Sequence, residues 1–279
     1  MTASSTTTNI EHIAFVGGGN MASAILGGLV RQGAPATAFE VVEPFAEARE
    51  RLAHDFGITA HAEAGAALAR CEVLVWAVKP QTFAEAARPV QAHAGRALHL
   101  SVAAGIPSDS IARWLGSERI VRAMPNTPAL VGQGMTGLFA RDAVDAQDRT
   151  VVEKVLAPTG ELLWVEPESA LDAVTALSGS GPAYVFYFIE AMAEAGIEMG
   201  LTPAQAHKLA VGTFVGAAAL ARSATEPPSV LRQRVTSKGG TTHAAITSLQ
   251  GAEVAARFKD AMRAAQKRAA ELGEEFGKG

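Results

Sequence analysis

Two short stretches of this sequence combine glycine, hydroxyl and helix-forming residues in a way that suits anion binding. One is near the start, "FVGGGNMASAILGGL" (Phe15–Leu29), and the other near the end, "VTSKGGTTHAAI" (Val235–Ile246). In the first, Gly17, Gly19 and Ala22 fall at the places of G-x-G-x-x-G/A. There the first glycine permits a tight turn, the second lets a pyrophosphate reach the backbone, and a small third residue lets helix pack on strand. Unpaired N–H groups at the start of the following helix then face the phosphates. In the second, Gly239-Gly240 allow successive N–H groups to converge into a nest, and Thr241 or Thr242 is expected to cap the helix "HAAITSL". A cap serving only its own helix is the commoner use of such a loop. His243 offers a proton but equally suits an exposed helix position.

Other residues with chemical potential gather at the ends of β-rich runs. Glu43 ends "FEVVE", where an acidic side chain accepts hydrogen bonds from an adenosine ribose and repels a 2′-phosphate, which favours NADH. Arg49 and Arg51 follow closely and suit either a phosphate or an exposed helix face. "AVKPQ" (Ala77–Gln81) carries Lys79 and Pro80, "SVAAGIP" carries Val102, Ala103 and Ala104, and "MPNTPAL" carries Asn126 between two prolines. Small residues at Val102–Ala104 would let a flat ring approach the backbone. The single cysteine, Cys71, precedes "VLVWAV", where a small half-buried residue entering a strand suits better than a catalytic thiol.

These positions need a scaffold, and the N-terminal half supplies its rhythm. "HIAFVG", "FEVVE", "VLVWAV", "ALHLSV", "RIVRAM", "MTGLFA" and "LLWVE" read as strands, with helical stretches between most of them. This predicts an α/β fold, a Rossmann-type doubly wound parallel sheet over residues 11–165. Beyond Glu166 the β-rich runs stop and Ala-rich helices take over at Ala183–Met199, Pro203–Ala224 and Glu253–Leu272, an all-helical domain over 166–279. Thr202 and Pro203 mark a capped helix start. "AYVFYFIEAMAEAGIEM" is apolar nearly all round, so it is either a central helix of its own domain or is covered by a partner subunit.

Composition sets the outer limits. The chain of 279 residues is 48% hydrophobic and 19% charged, with a formal charge of −4 and pI near 6.0, which gives no basic footprint for nucleic acid. One cysteine excludes an internal disulfide and fits a reducing, cytoplasmic setting. No run reaches the ~18 apolar residues that span a bilayer, so no membrane partner is expected. No metal-type Cys/His spacing occurs, and residues 1–10 read as a disordered tail.

Taken together, "GGGNMASAILGGL", "AVKP", "SVAAGIP", "RAMPNTPALV", "ALSGSGPAYVF" and "VTSKGGTTHAAITSLQ" resemble the pyrroline-5-carboxylate reductase family along nearly the whole chain. The resemblance implies reduction of 1-pyrroline-5-carboxylate to L-proline with NADPH or NADH. It also implies a Rossmann domain followed by a helical dimerisation domain, giving a homodimer and in some members a ring of dimers. By position, Gly17, Gly19, Asn20, Met21, Glu43, Ala77, Lys79, Pro80 and Val102–Ala104 would line the cofactor. Ser237, Gly239, Gly240, Thr241 and Thr242 would surround the substrate, with Glu168 a further contact and Thr242 the hydrogen-bond donor in catalysis. The family usually prefers NADPH and often has a small or hydroxyl residue where Glu43 stands, so this chain departs from the pattern there. Lys238 also replaces a proline common in the signature loop. Two rivals are a dehydrogenase of hydroxy or imino acids, which would need a catalytic lysine or histidine that "SGSGPAYVFYF" lacks, and a nicotinamide sensor, which would not need the second loop.

Overall fold

The computed structural model describes residues 12–94 and 96–277; the tail expected at 1–10 lies outside them. By contacts these residues form two compact units, residues 12–179 with 265–277, and Ser180–Ala264.

The first unit is built on β1 (Ile13–Val16), α1 (Asn20–Arg31), β2 (Phe39–Val42), α2 (Ala46–Phe56), β3 (Ala60–His61), β4 (Val73–Trp76), α3 (Phe83–Gln91), β5 (Leu98–Ser101), α4 (Ser108–Leu115), β6 (Ile120–Met124), β7 (Gly134–Ala140), α5 (Ala146–Leu156), β8 (Gly160–Trp164) and α6 (Ala170–Val174). Its sheet runs β3-β2-β1-β4-β5-β6-β7-β8. β1, β4 and β5 are buried at every residue, as strands covered on both faces must be. Alternation then sorts their side chains. Phe15, Val75 and Leu100 meet Ile25 and Leu26 of α1 and Val152 and Val155 of α5, while Ala14, Leu74 and Trp76 meet Phe83 of α3 and Ile111 and Leu115 of α4.

The sheet is parallel except between β6 and β7, which pair antiparallel. The sequence-based expectation of a parallel sheet needs this correction, and the connection explains it. Residues 125–133 hold a short 3₁₀ turn over Thr127–Val131 rather than a crossover helix, so β7 must return alongside β6. Asn126 braces this turn, accepting from Met135 N–H (2.9 Å) and donating to Ser178 O (3.0 Å). β7 and β8 are joined through α5 and pair parallel again. Helix ends follow ordinary chemistry. Gly57 and Gly116 adopt left-handed conformations that stop α2 and α4, and an Asp145–Asp148 capping box starts α5.

The second unit contains α7 (Gly181–Glu198), α8 (Pro203–Ser223), α9 (Pro228–Arg234), α10 (Thr241–Gly251) and the beginning of α11 (Val254–Gly277), whose remainder, 265–277, belongs to the first unit. Thr202 forms the expected cap, in a box with Gln205 ahead of Pro203. α7 and α8 approach closely where Gly196 meets Ala206, and Tyr184, Phe188 and Phe258 pack edge to face. Yet Phe186, Tyr187, Leu209, Val215 and Leu220 are exposed. Such an apolar surface marks an association face.

Candidate functional site

The first loop lies at the carboxyl end of β1. From β1 the chain crosses to β2 on one side, and β4 adds on the other, which makes the crevice between β1 and β4 the switch point of the sheet. Gly17 has φ +97°, and a Cβ there would lie 2.5 Å from Ala77 O, so the turn abuts the end of β4 and only glycine fits. A Cβ at Gly18 would lie 2.8 Å from Leu52 Cδ1. At Gly19 it would meet nothing within 4 Å, and Gly19 is the N-cap of α1 with no side-chain cap. The first intrahelical bond runs from Ser23 N–H to Gly19 O. The N–H groups ahead of it have no helical partner, and with open space beside Gly19 they suit a pyrophosphate. Asn20 is exposed and Met21 half-buried beside them.

Glu43 is buried, and each carboxylate oxygen accepts one backbone N–H, from Gly18 (2.7 Å) and from Phe45 (2.9 Å). A carboxylate oxygen has a second lone pair, so Glu43 retains acceptor capacity toward a ribose hydroxyl. The bond from Gly18 to Glu43 joins the two loops, and the signal for it in the sequence is the unbroken run Gly17-Gly18-Gly19, of which Gly18 is the middle member. Arg49 turns away from any phosphate role, donating to Glu43 O (2.9 Å) and Pro44 O (2.7 Å), while Arg51 is exposed. Ala77 N–H donates to Val16 O, and Val102 N–H to Trp76 O, so both loops continue the ladder on either side of β4. Ala103 is buried and Ala104 exposed; Lys79 is exposed, and Pro80 opens a 3₁₀ turn. The loops carrying Gly17–Met21, Glu43, Ala77–Pro80 and Val102–Ala104 thus all lie at the carboxyl ends of β1, β2, β4 and β5.

The second loop, in the helical unit, precedes α10. Gly239 has φ +77°, Gly240 N–H donates to Ser237 O (3.0 Å), and a Cβ at Gly240 would lie 2.8 Å from Ser237 Oγ. The N-cap of α10 is Gly240, with no side-chain cap, so neither Thr241 nor Thr242 caps the helix as the sequence suggested. Both are instead its first residues, Thr241 exposed and Thr242 half-buried. The physical reason is that Gly240 adopts the extended cap conformation itself, leaving the threonine hydroxyls clear of that duty. An uncapped helix start behind a left-handed glycine has the backbone geometry that suits an anion. His243 is exposed.

Glu168 is placed in the first unit. It accepts from Ser108 N–H (2.7 Å), Ser108 Oγ (2.6 Å) and Arg122 Nη1 (2.5 Å). It therefore satisfies the start of α4 and pairs with a largely buried guanidinium. Ser108 and Arg122 gave no sequence signal for this, since Ser108 lies sixty positions away. Nearby, burial pushes the Asp172 carboxyl up, Arg122 pulling the other way and Glu168 adding to the rise. Cys71 is buried, and burial followed by the charge of Glu40 pushes its thiol up to about 11, which suits packing rather than nucleophilic attack.

A doubly wound sheet with this glycine loop at its switch point defines a dinucleotide-binding oxidoreductase. Residues 12–105 match the family described as NADP oxidoreductase coenzyme F420-dependent, and residues 168–272 match pyrroline-5-carboxylate reductase dimerisation. The chain is 44% identical over 273 residues to a pyrroline-5-carboxylate reductase of Pseudomonas aeruginosa, covering 95% of this chain and 98% of that one. A solved pyrroline-5-carboxylate reductase from Coxiella burnetii superposes with TM-score 0.88 at 36% identity, covering 95% of this chain and 99% of that one. One from Plasmodium falciparum, with NADP bound, superposes with TM-score 0.85 at 26% identity, covering 95% and 98%. The chain belongs to the pyrroline-5-carboxylate reductase family.

Proposed function

We propose that this chain reduces 1-pyrroline-5-carboxylate to L-proline with NADPH or NADH, chiefly by positioning. The observation that carries the reading is the uncapped start of α10 behind Ser237–Gly240, a second anion site in a chain whose first is a dinucleotide loop. The Gly19 cap and the first N–H groups of α1 hold the pyrophosphate, Glu43 accepts from the adenosine ribose, and the small residues Ala103 and Ala104 leave room for the nicotinamide. When bound, the cofactor supplies a hydride to the C=N carbon. The nest at Gly239–Thr242, with Ser237, holds the substrate carboxylate. Holding reactants in register of this kind contributes up to about 7–11 kcal/mol of barrier lowering. A cyclic imine that binds protonated is already electrophilic, so no strong side-chain acid is required. Thr242 donates a hydrogen bond to the ring nitrogen, directly or through water. Glu168, engaged by Ser108 and Arg122, braces the start of α4 rather than the substrate.

The exposed faces of α7 and α8, with the family match over 168–272, support a homodimer in which those faces are covered, and a ring of dimers as a further assembly. Among the described residues, no helix is long and apolar enough to cross a membrane. A single buried thiol suits the cytoplasm. Thr242→Ala tests the catalytic assignment. It should lower kcat while melting temperature and cofactor affinity hold, whereas near-normal kcat would remove Thr242 from the mechanism.

A further inference from the structure

We infer that the last turns of α11, through Leu272 and Gly273, position the loop between β5 and α4 and through it the reduced cofactor; this rests on the reading that Val102–Ala104 line the nicotinamide. The loop is built of Ala103, Ala104 and Gly105, which have little side chain with which to brace themselves. Gly105 has φ +77°, and a Cβ there would lie 3.4 Å from Leu272 Cβ. A Cβ on Gly273 would lie 3.2 Å from Gly105 O. Loop backbone and helix thus approach through two glycines, and each needs to be glycine for a different reason: Gly105 for its φ, Gly273 for the room it leaves.

The helix itself is pinned to α4, the element the loop leads into. Gly277 O accepts from Ser110 Oγ (2.8 Å) and from Arg113 Nη2 (2.8 Å), both on α4. Phe276 packs against the cluster containing Ile106 and Ile111, and Ala269 is buried. Beside this contact, Gly105 and α11, through Gly273 and Glu274, together border a cavity of about 320 Å³ lined also by Arg122, Glu168 and Asp172. The carbonyl of Gly105 is therefore located by α11, and the residues just before it are the candidate cofactor contacts.

Gly273→Ala separates this role from a purely structural one. Alanine is favoured over glycine inside a helix, so thermal stability should hold or rise once Gly105 O gives way. The added methyl is too close to Gly105 O for ordinary contact, and the carbonyl must shift by a few tenths of an ångström. A displacement of that size beside the residues that hold the cofactor should raise the KM and Kd for reduced cofactor roughly three- to tenfold, or about 0.7–1.4 kcal/mol, with KM for 1-pyrroline-5-carboxylate little changed. Cofactor titration, steady-state kinetics and melting would be run on both proteins. Unchanged cofactor Kd and KM in the variant overturns the inference alone, as does a loss of stability without a cofactor effect. Wild-type protein that binds neither NADH nor NADPH overturns the proposed function and this inference with it.

Discussion

Gly17 and Gly19 sit two residues apart, yet replacing each by alanine should give opposite results. At Gly17 the new Cβ would lie 2.5 Å from Ala77 O and 2.8 Å from Ala77 C, backbone atoms that are fixed by the N–H bond from Ala77 to Val16. A positive φ adds about 1–2 kcal/mol for a residue with a side chain, and forced overpacking about 1–3 kcal/mol. Gly17→Ala should therefore destabilise by about 2–5 kcal/mol and lower the melting temperature by roughly 5–15 °C for a unit of this size. Gly19, by contrast, has φ −74° and ψ −171°, which alanine adopts without strain, and no atom within 4 Å of the new Cβ. Gly19→Ala should change stability by no more than about 1 kcal/mol, as expected for an exposed N-cap position. Its methyl would occupy the path of the pyrophosphate, however, and weaken reduced-cofactor binding at least about tenfold, or about 1.4 kcal/mol. Melting followed by circular dichroism, alongside fluorescence titration with NADH and NADPH, reads both quantities. Equal melting temperatures for the two variants, or wild-type affinity in Gly19→Ala, would refute the assignment of a strain-bearing first glycine and a ligand-facing second one.

Two further outcomes follow from buried polar groups. His99 in β5 is buried, its Nδ1 accepts from Trp76 Nε1 (3.2 Å), and its Nε2 has no partner. Burial, with the charge of Arg119 adding to it, pushes its pKa from 6.5 down to about 4. Since the unfolded chain takes up the proton first, the contribution is fully present above pH 6.5 and is lost as pH falls toward about 4, amounting to about 3 kcal/mol. Urea unfolding of wild type and His99→Gln across that window should show the difference in slope, and parallel profiles would contradict it. Glu168→Ala should cost about 3 kcal/mol of stability, because it strips a partner from Arg122 and from the start of α4; an unchanged unfolding midpoint with raised KM for substrate would instead make Glu168 a direct contact.

Much of the fold was legible because its signals are local. The buried runs of β1, β4 and β5, the stop at Gly57, the Thr202–Gln205 cap and the glycine loop each depend on residues within one turn or strand of each other. What escaped depends on partners far apart in the chain. The two-residue β3 is too short to carry a periodic signal, and the antiparallel β7 follows from the length of its connection rather than from its own sequence. α9, seven residues opening on Pro228, has too few turns to show an apolar stripe. At the site, the triple glycine displayed Gly17 and Gly19 but hid the bond from Gly18 to Glu43, and a threonine pair beside a glycine pair left open which residue caps α10. The return of residues 265–277 to the sheet unit, closed by Ser110 and Arg113 on Gly277 O, could not be read from a helical pattern that ends in charged residues.

The central claim is most directly tested by following the loss of reduced-nicotinamide absorbance when 1-pyrroline-5-carboxylate is added to the protein, with NADH and NADPH side by side. Rapid oxidation with stoichiometric proline is the predicted result, and the faster cofactor reports whether Glu43 sets the preference. Folded protein that binds a reduced cofactor yet oxidises neither in the presence of this substrate would contradict the account.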